Sequence, residues 1–138
     1  MVEGPMIEGP MVEGLRRQYH FRPGPNGLRA WDVHRLLDLA RDLPVVEMPL
    51  SEIRELDEAY WFDHGAVPTC RAIVEHAALI NEADLAFPVI LSSDGRVMDG
   101  MHRVAKAAMQ GLTSVRAKRF TRDPEPDYVG VAPDDLPY

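Results

Sequence analysis

Asp99, Gly100, His102, Arg103 and Lys106 fall within eight consecutive residues of a segment, Ile90 to Gly111, that changes from strand to helix periodicity. A glycine at such a junction lets the backbone turn sharply into a helix. The first helical amides then have no partner of their own, and with the positive end of the helix dipole they attract an anion. An imidazole and a guanidinium in the first turn, His102 and Arg103, make phosphate the natural anion, and Lys106 one turn on adds a third cation. The competing reading leaves His102 and Lys106 facing solvent and pairs Arg103 with Asp99 or Asp94.

The elements that must position these groups follow from pattern. Phe87 to Leu91 reads as a buried strand, Asp94-Gly95 as a hairpin turn, and Arg96 to Met98 as the return strand. Met101 to Gln110 follows as a helix closed by Gly111, with Met101, Val104, Ala105 and Ala108 inward and His102, Arg103, Lys106 and Gln110 outward. Ser114 to Phe120 is a further strand. Upstream, Asp32 to Leu43 is a helix stopped by Pro44, and Val45 to Leu50 is a strand held to an edge by Pro49. Ser51 caps a short helix through Leu56, and Ala59 to Phe62 is an aromatic cluster suited to the core, with Trp61 and Phe62 able to wall a ligand. Thr69 caps a helix to Asn81 that turns Ile73, Val74, Ala77 and Ile80 inward; Asp84 then ends it or caps a turn.

The flanks read differently. Three Gly-containing repeats begin at Met1, Met6 and Met11, so each is a possible translation start, and their period fits neither helix nor strand. Residues 1–30 are therefore expected to be tail and loop, 31–122 one folded domain, and 123–138, with four prolines and five acids, an extended surface tail. Strands and helices mix without a regular βαβ repeat, which predicts a compact α+β domain with a small mixed sheet flanked by helices.

At 138 residues the chain is long enough for one well-cored domain. No apolar run approaches the roughly 20 residues that span a bilayer, and no basic-then-apolar leader is visible, so a cytoplasmic protein is expected. Cys70 is the sole cysteine and cannot form an internal disulfide. His64, Cys70 and His76 do not match a tight zinc spacing. The net charge of −7 argues against a free-standing DNA-binding module. Residues 94–122 are nevertheless locally +5, with seven basic residues against Asp94 and Asp99.

The order strand, hairpin, Asp99-Gly100-Met101-His102-Arg103, alanine-rich helix, glycine, strand resembles the ParB/sulfiredoxin-like domain, and Val45 to Ile53 and Pro88 to Leu91 look similar to its upstream part. The resemblance covers about Val45 to Phe120. It implies a nucleotide phosphate held by Gly100, Met101, His102 and Arg103, with Lys106 adjoining and Asp99 shaping the loop or holding Mg²⁺. ATP, ADP or CTP is the implied cofactor.

The family contains nucleotide-binding partition proteins, a cysteine sulfinic acid reductase and kinases of free serine, so the fold leaves the activity open. Met101 stands where the reductase has its nucleophilic cysteine, and a thioether cannot take that role. Partition proteins carry a further helix-turn-helix domain, so specific DNA binding is not expected. The small-substrate kinases need an acid after the first strand, for which Glu55, Asp57 and Glu58 are candidates; a solvated acidic turn is the alternative. The leading expectation is nucleotide binding, with phosphotransfer to a small hydroxyl substrate as its sharper form. The alternatives are a non-catalytic adaptor and a nuclease-like or non-specific nucleic-acid binder using Arg116, Lys118, Arg119 and Arg122.

Overall fold

Pro23, Gly24, Pro25 and Gly27 interrupt any helical period, yet they form the turn of a hairpin rather than a long loop. The computed structural model describes residues 18–62 and 65–138. In it β1 (Tyr19–Arg22) pairs antiparallel with β2 (Arg29–Asp32), His20 opposite Trp31. Gly27 takes a φ of +113° in the turn, and a Cβ there would lie 2.9 Å from the Cα of Gly130. The breakers were legible, but the two four-residue strands flanking them carry too little pattern to register as strands. The repeats at Met1, Met6 and Met11 lie outside the described residues.

The Asp32 carboxylate accepts a hydrogen bond from the His34 amide at 2.9 Å and starts α1 (Val33–Leu39), which is shorter than its apolar period suggests. A second sheet follows. β3 (Val46–Pro49) is its outer strand, as Pro49 requires, because proline cannot donate to a ladder. In place of one helix after Ser51, two short 3₁₀ turns, Leu50–Glu52 and Arg54–Asp57, lead to a third at Tyr60–Phe62. The hydroxyl of Thr69 accepts from the Ala72 amide and opens α2 (Cys70–Glu82). Asp84 caps a turn by accepting from the Ala86 amide.

β4 (Val89–Leu91) and β5 (Val97–Asp99) form the expected hairpin, with Gly95 at φ +82°, and α3 (Met101–Met109) follows directly. β6 (Ser114–Arg119) then returns parallel to β4 and antiparallel to β3, giving the order β3-β6-β4-β5. The described residues thus form a mixed α+β fold with two sheets.

The core divides across the second sheet by the strand period of two. Val89, Leu91 and Val97 pack with Met101, Val104 and Ala107 of α3 on one face. Ile90 and Met98 meet Trp31, Leu36, Ala40 and Phe120 on the other. The first sheet and α1 therefore complete the domain.

The C-terminal segment belongs to that layer, not to a tail lying over the surface. β7 (Tyr128–Val129) pairs with β2, the indole of Trp31 donates to the Pro124 carbonyl, and Leu136 is buried. Its acids and prolines hid this, because one short pairing and a few anchor residues hold it.

Two helix faces differ from their periodicity. Ile73 and Val74 are exposed at 50% and 66%, while Leu79 and Ile80 anchor α2. In α3 the buried residues are Met101, His102, Arg103, Val104 and Ala107, whereas Ala108 is exposed. His102 and Arg103 can be buried because their polar atoms find partners inside the protein.

Candidate functional site

The β5–α3 junction is built around Gly100, whose φ of +100° is a left-handed conformation that favours glycine. A Cβ at this position would lie 2.8 Å from Arg103 Nη2. The guanidinium folds back over Gly100, donates to an Asp99 oxygen at 2.9 Å, and donates to the Phe87 and Pro88 carbonyls at 3.0 and 2.7 Å. Arg103 thereby ties the start of β4 to the end of β5. Burial pushes the Asp99 carboxyl above its ordinary range, with the Arg103 guanidinium opposing. Asp99 Oδ1 is buried without a hydrogen-bond partner among the described residues.

His102 turns to the opposite side, against Trp61 and His76 of α2. Lys106 donates to the Asn81 and Ala83 carbonyls and closes the C-terminal end of α2. The cationic side chains expected to converge on a phosphate thus make internal contacts: Arg103 to main-chain carbonyls and Asp99, Lys106 to a helix end, His102 to an aromatic cluster. Only the loop itself, Asp99, Gly100 and Met101, lines a cleft.

That cleft, about 830 Å³, runs between the β1–β2 hairpin and the β5–α3 junction. Glu55 and Glu58, two of the three acids singled out from sequence, line it together with Tyr60; Asp57 is exposed and is not part of the wall. Glu55 is 3% exposed, accepts from the Val97 amide at 2.7 Å through Oε2, and leaves Oε1 buried without a partner among the described residues. Glu58 forms a forked ion pair with Arg96 at 2.7 and 3.0 Å, which holds the Arg96 guanidinium firmly charged. A short Ser92 hydroxyl contact holds the Asp94 carboxyl below its usual range.

Arg22 and Arg29 occupy the hairpin wall, and sequence reasoning missed both. Arg22 donates to His20 at 3.1 Å and to the Ser92 hydroxyl at 2.8 Å, while Arg29 lies over the Trp31 ring. Burial, then the charges of Arg22 and Arg29, push the His20 imidazole down to about 3. The signal that could have found these arginines was their placement on either side of a Pro/Gly turn, which brings β1 and β2 together. The cleft therefore sets guanidinium groups on its hairpin wall opposite carboxylates and a helix start, an arrangement suited to an anionic ligand that also offers hydrogen-bond donors.

The aromatic residues divide. Tyr60 faces the cleft, while Trp61 packs against the core and Phe62 meets His76 edge-on. In the basic stretch, Arg116 donates to the Ala86 carbonyl, Lys118 to the Ala40 and Arg41 carbonyls, and Arg119 to the Ser93 carbonyl. Of the trio His64, Cys70 and His76, His64 lies outside the described residues, and Cys70 is exposed. Among the described residues no group of three or more His, Cys, Asp or Glu side chains is arranged to hold a metal ion, and no helix is long and apolar enough to cross a membrane.

No family model, curated protein or solved structure matches this chain.

Proposed function

We propose that the cleft between the hairpin and the β5–α3 junction binds a nucleoside di- or triphosphate, with phosphoryl transfer to a small hydroxyl-bearing molecule as its chemistry. The observation that carries this reading is the meeting of Glu55 and Glu58 with Asp99, Gly100 and Met101 in one cleft that also contains Arg22, Arg29 and Arg96. The ParB/sulfiredoxin-like order of elements around Asp99–Arg103 supports it. In this reading the phosphates lie toward Arg22, Arg29 and the N-terminal end of α3, not toward Arg103 or Lys106.

Glu55 is the favoured base. It would take the proton of the acceptor hydroxyl as that oxygen attacks the terminal phosphorus, and the nucleotide would leave with one phosphoryl group fewer. The oxygen donors of Asp99 and Glu55 suit a hard cation, so a Mg²⁺ ion arriving with ATP, ADP or CTP would screen the phosphate charge beside them.

The test is a thermal-shift panel of ATP, ADP and CTP, with and without Mg²⁺, on wild type, Arg29→Ala and Glu55→Gln. A ligand that binds only the folded state raises its melting temperature by mass action. A nucleotide shift lost in Arg29→Ala and kept in Glu55→Gln, with turnover lost in the latter, is the expected result. No shift with any nucleotide would refute the reading.

A non-catalytic adaptor is the second reading, favoured by one feature: Val67, Ile73 and Val74 are exposed on and beside α2. The nucleic-acid reading is weaker, since Arg116, Lys118 and Arg119 direct their head groups at main-chain carbonyls.

A further inference from the structure

His76 of α2 and His102 of α3 approach with Nδ1 and Nε2 2.9 Å apart, while their ring centres are 5.1 Å apart. The rings therefore lie edge to edge and share one N–H···N hydrogen bond. Both also lie flat against the same Trp61 indole, with ring centres at 4.4 and 4.7 Å and planes within 19° and 13° of it. Phe62 meets His76 edge-on from the side, at 5.5 Å. His102 is 1% exposed and His76 is partly buried, so the pair connects solvent to the interior.

One proton between the two nitrogens satisfies this arrangement. Two imidazolium rings cannot share it, because each would then point an N–H at the other. Among the described residues, the Arg103 charge acts against a proton on His102, while Glu75 on α2 acts the other way on His76. Burial lowers the His76 imidazole, and burial, then His76 and Arg103, push His102 down to about 4.

Among the described residues, the first half of α2 has few other anchors. Cys70 and Arg71 are exposed along with Ile73, Val74 and Glu75, while the buried residues Leu79 and Ile80 and the Lys106 contacts hold the second half. An element held by so few buried contacts opens locally before the domain unfolds.

We propose that His76 and His102, seated together on Trp61, form an acid-opened latch that holds the first half of α2 against α3. Acid releases that half, uncovers Trp61 and loosens the turn whose Tyr60 walls the cleft. The latch does not depend on what the cleft binds.

The test is amide hydrogen exchange on the full chain, corrected for intrinsic rates, between about pH 7.5 and about pH 4.5. Exchange at residues 72–77 is expected to accelerate by about tenfold per pH unit below the ordinary histidine value, with residues 79–82 and β4 still protected. His76→Gln keeps a hydrogen-bonding side chain that does not titrate, so its residues 72–77 should lose this pH dependence. Unchanged protection in wild type until global unfolding, or the same acceleration in His76→Gln, would overturn the latch. Nitrogen-15 titration of the wild-type imidazoles gives a second reading that needs no variant. Two coupled steps below the ordinary histidine value support the latch, and two independent titrations at that value refute it.

Discussion

Gly100 and Gly111 both have positive φ, at +100° and +75°, but their surroundings differ. A Cβ at Gly111 meets nothing within 4 Å, whereas one at Gly100 meets the Arg103 guanidinium at 2.8 Å. Gly111→Ala is therefore expected to cost only the left-handed penalty of about 1–2 kcal/mol. Gly100→Ala should cost more, because Arg103 must also shift from Asp99 and from two carbonyls. Urea denaturation of both variants checks the order, and an equal loss would remove the special role of Gly100. Arg103→Ala tests the fold rather than a ligand, since it leaves the buried Asp99 without its cation.

His20 makes a pH prediction at the same scale. Its imidazole is about 3 in the folded state against an ordinary 6.5, so the unfolded chain binds the extra proton first. Its contribution is fully present above pH 6.5 and is lost as pH falls toward about 3. Stability measured by urea across that window should fall less steeply in His20→Asn than in wild type. Parallel curves would show that His20 does not titrate with folding.

Among elements, helix ends are closed by lysines from other parts of the chain. Lys106 of α3 reaches the C-terminal carbonyls of α2, and Lys118 of β6 reaches those at the end of α1. This explains why the +5 stretch need not be a binding surface: its charge complements helix dipoles inside the fold. Lys106→Met, which keeps the packing stem, should cost about 0.3–1 kcal/mol, the range for a cation at a helix C-terminus. Thermal denaturation at low and high salt checks it, with the cost shrinking at high salt. A salt-independent loss would point to packing instead.

For the whole molecule, the C-terminal segment decides whether the cleft has a second wall. β7, the Trp31–Pro124 hydrogen bond and the Asp127 contacts to the Asp32 amide and Arg35 fasten β2 from outside. Without them β1 and β2 form a two-stranded hairpin, which is marginal alone in water. Ending the chain after Asp123 should leave the β3-β6-β4-β5 sheet protected from hydrogen exchange while residues 19–32 lose protection. Retained protection there would show that the packing of Trp31 on Ile90 and Met98 suffices.

Sequence by itself determined the parts whose signals are local. The α+β class, the Asp94-Gly95 hairpin, the Thr69 cap and the Gly111 helix stop each follow from a few adjacent residues, because backbone sterics and capping act over one turn. The acids near Glu55 and the Asp99–Gly100 junction were also legible as chemistry-bearing residues. Only the tertiary structure decided which way their neighbours face. It turned Arg103 onto Asp99, His102 onto Trp61 and Lys106 onto a helix end, and it brought Arg22 and Arg29 to the cleft from a segment that reads as loop. The physical reason is burial. A polar side chain on a helix face is outward by default, and it can be inward when distant segments supply its hydrogen-bond partners, which no periodicity records.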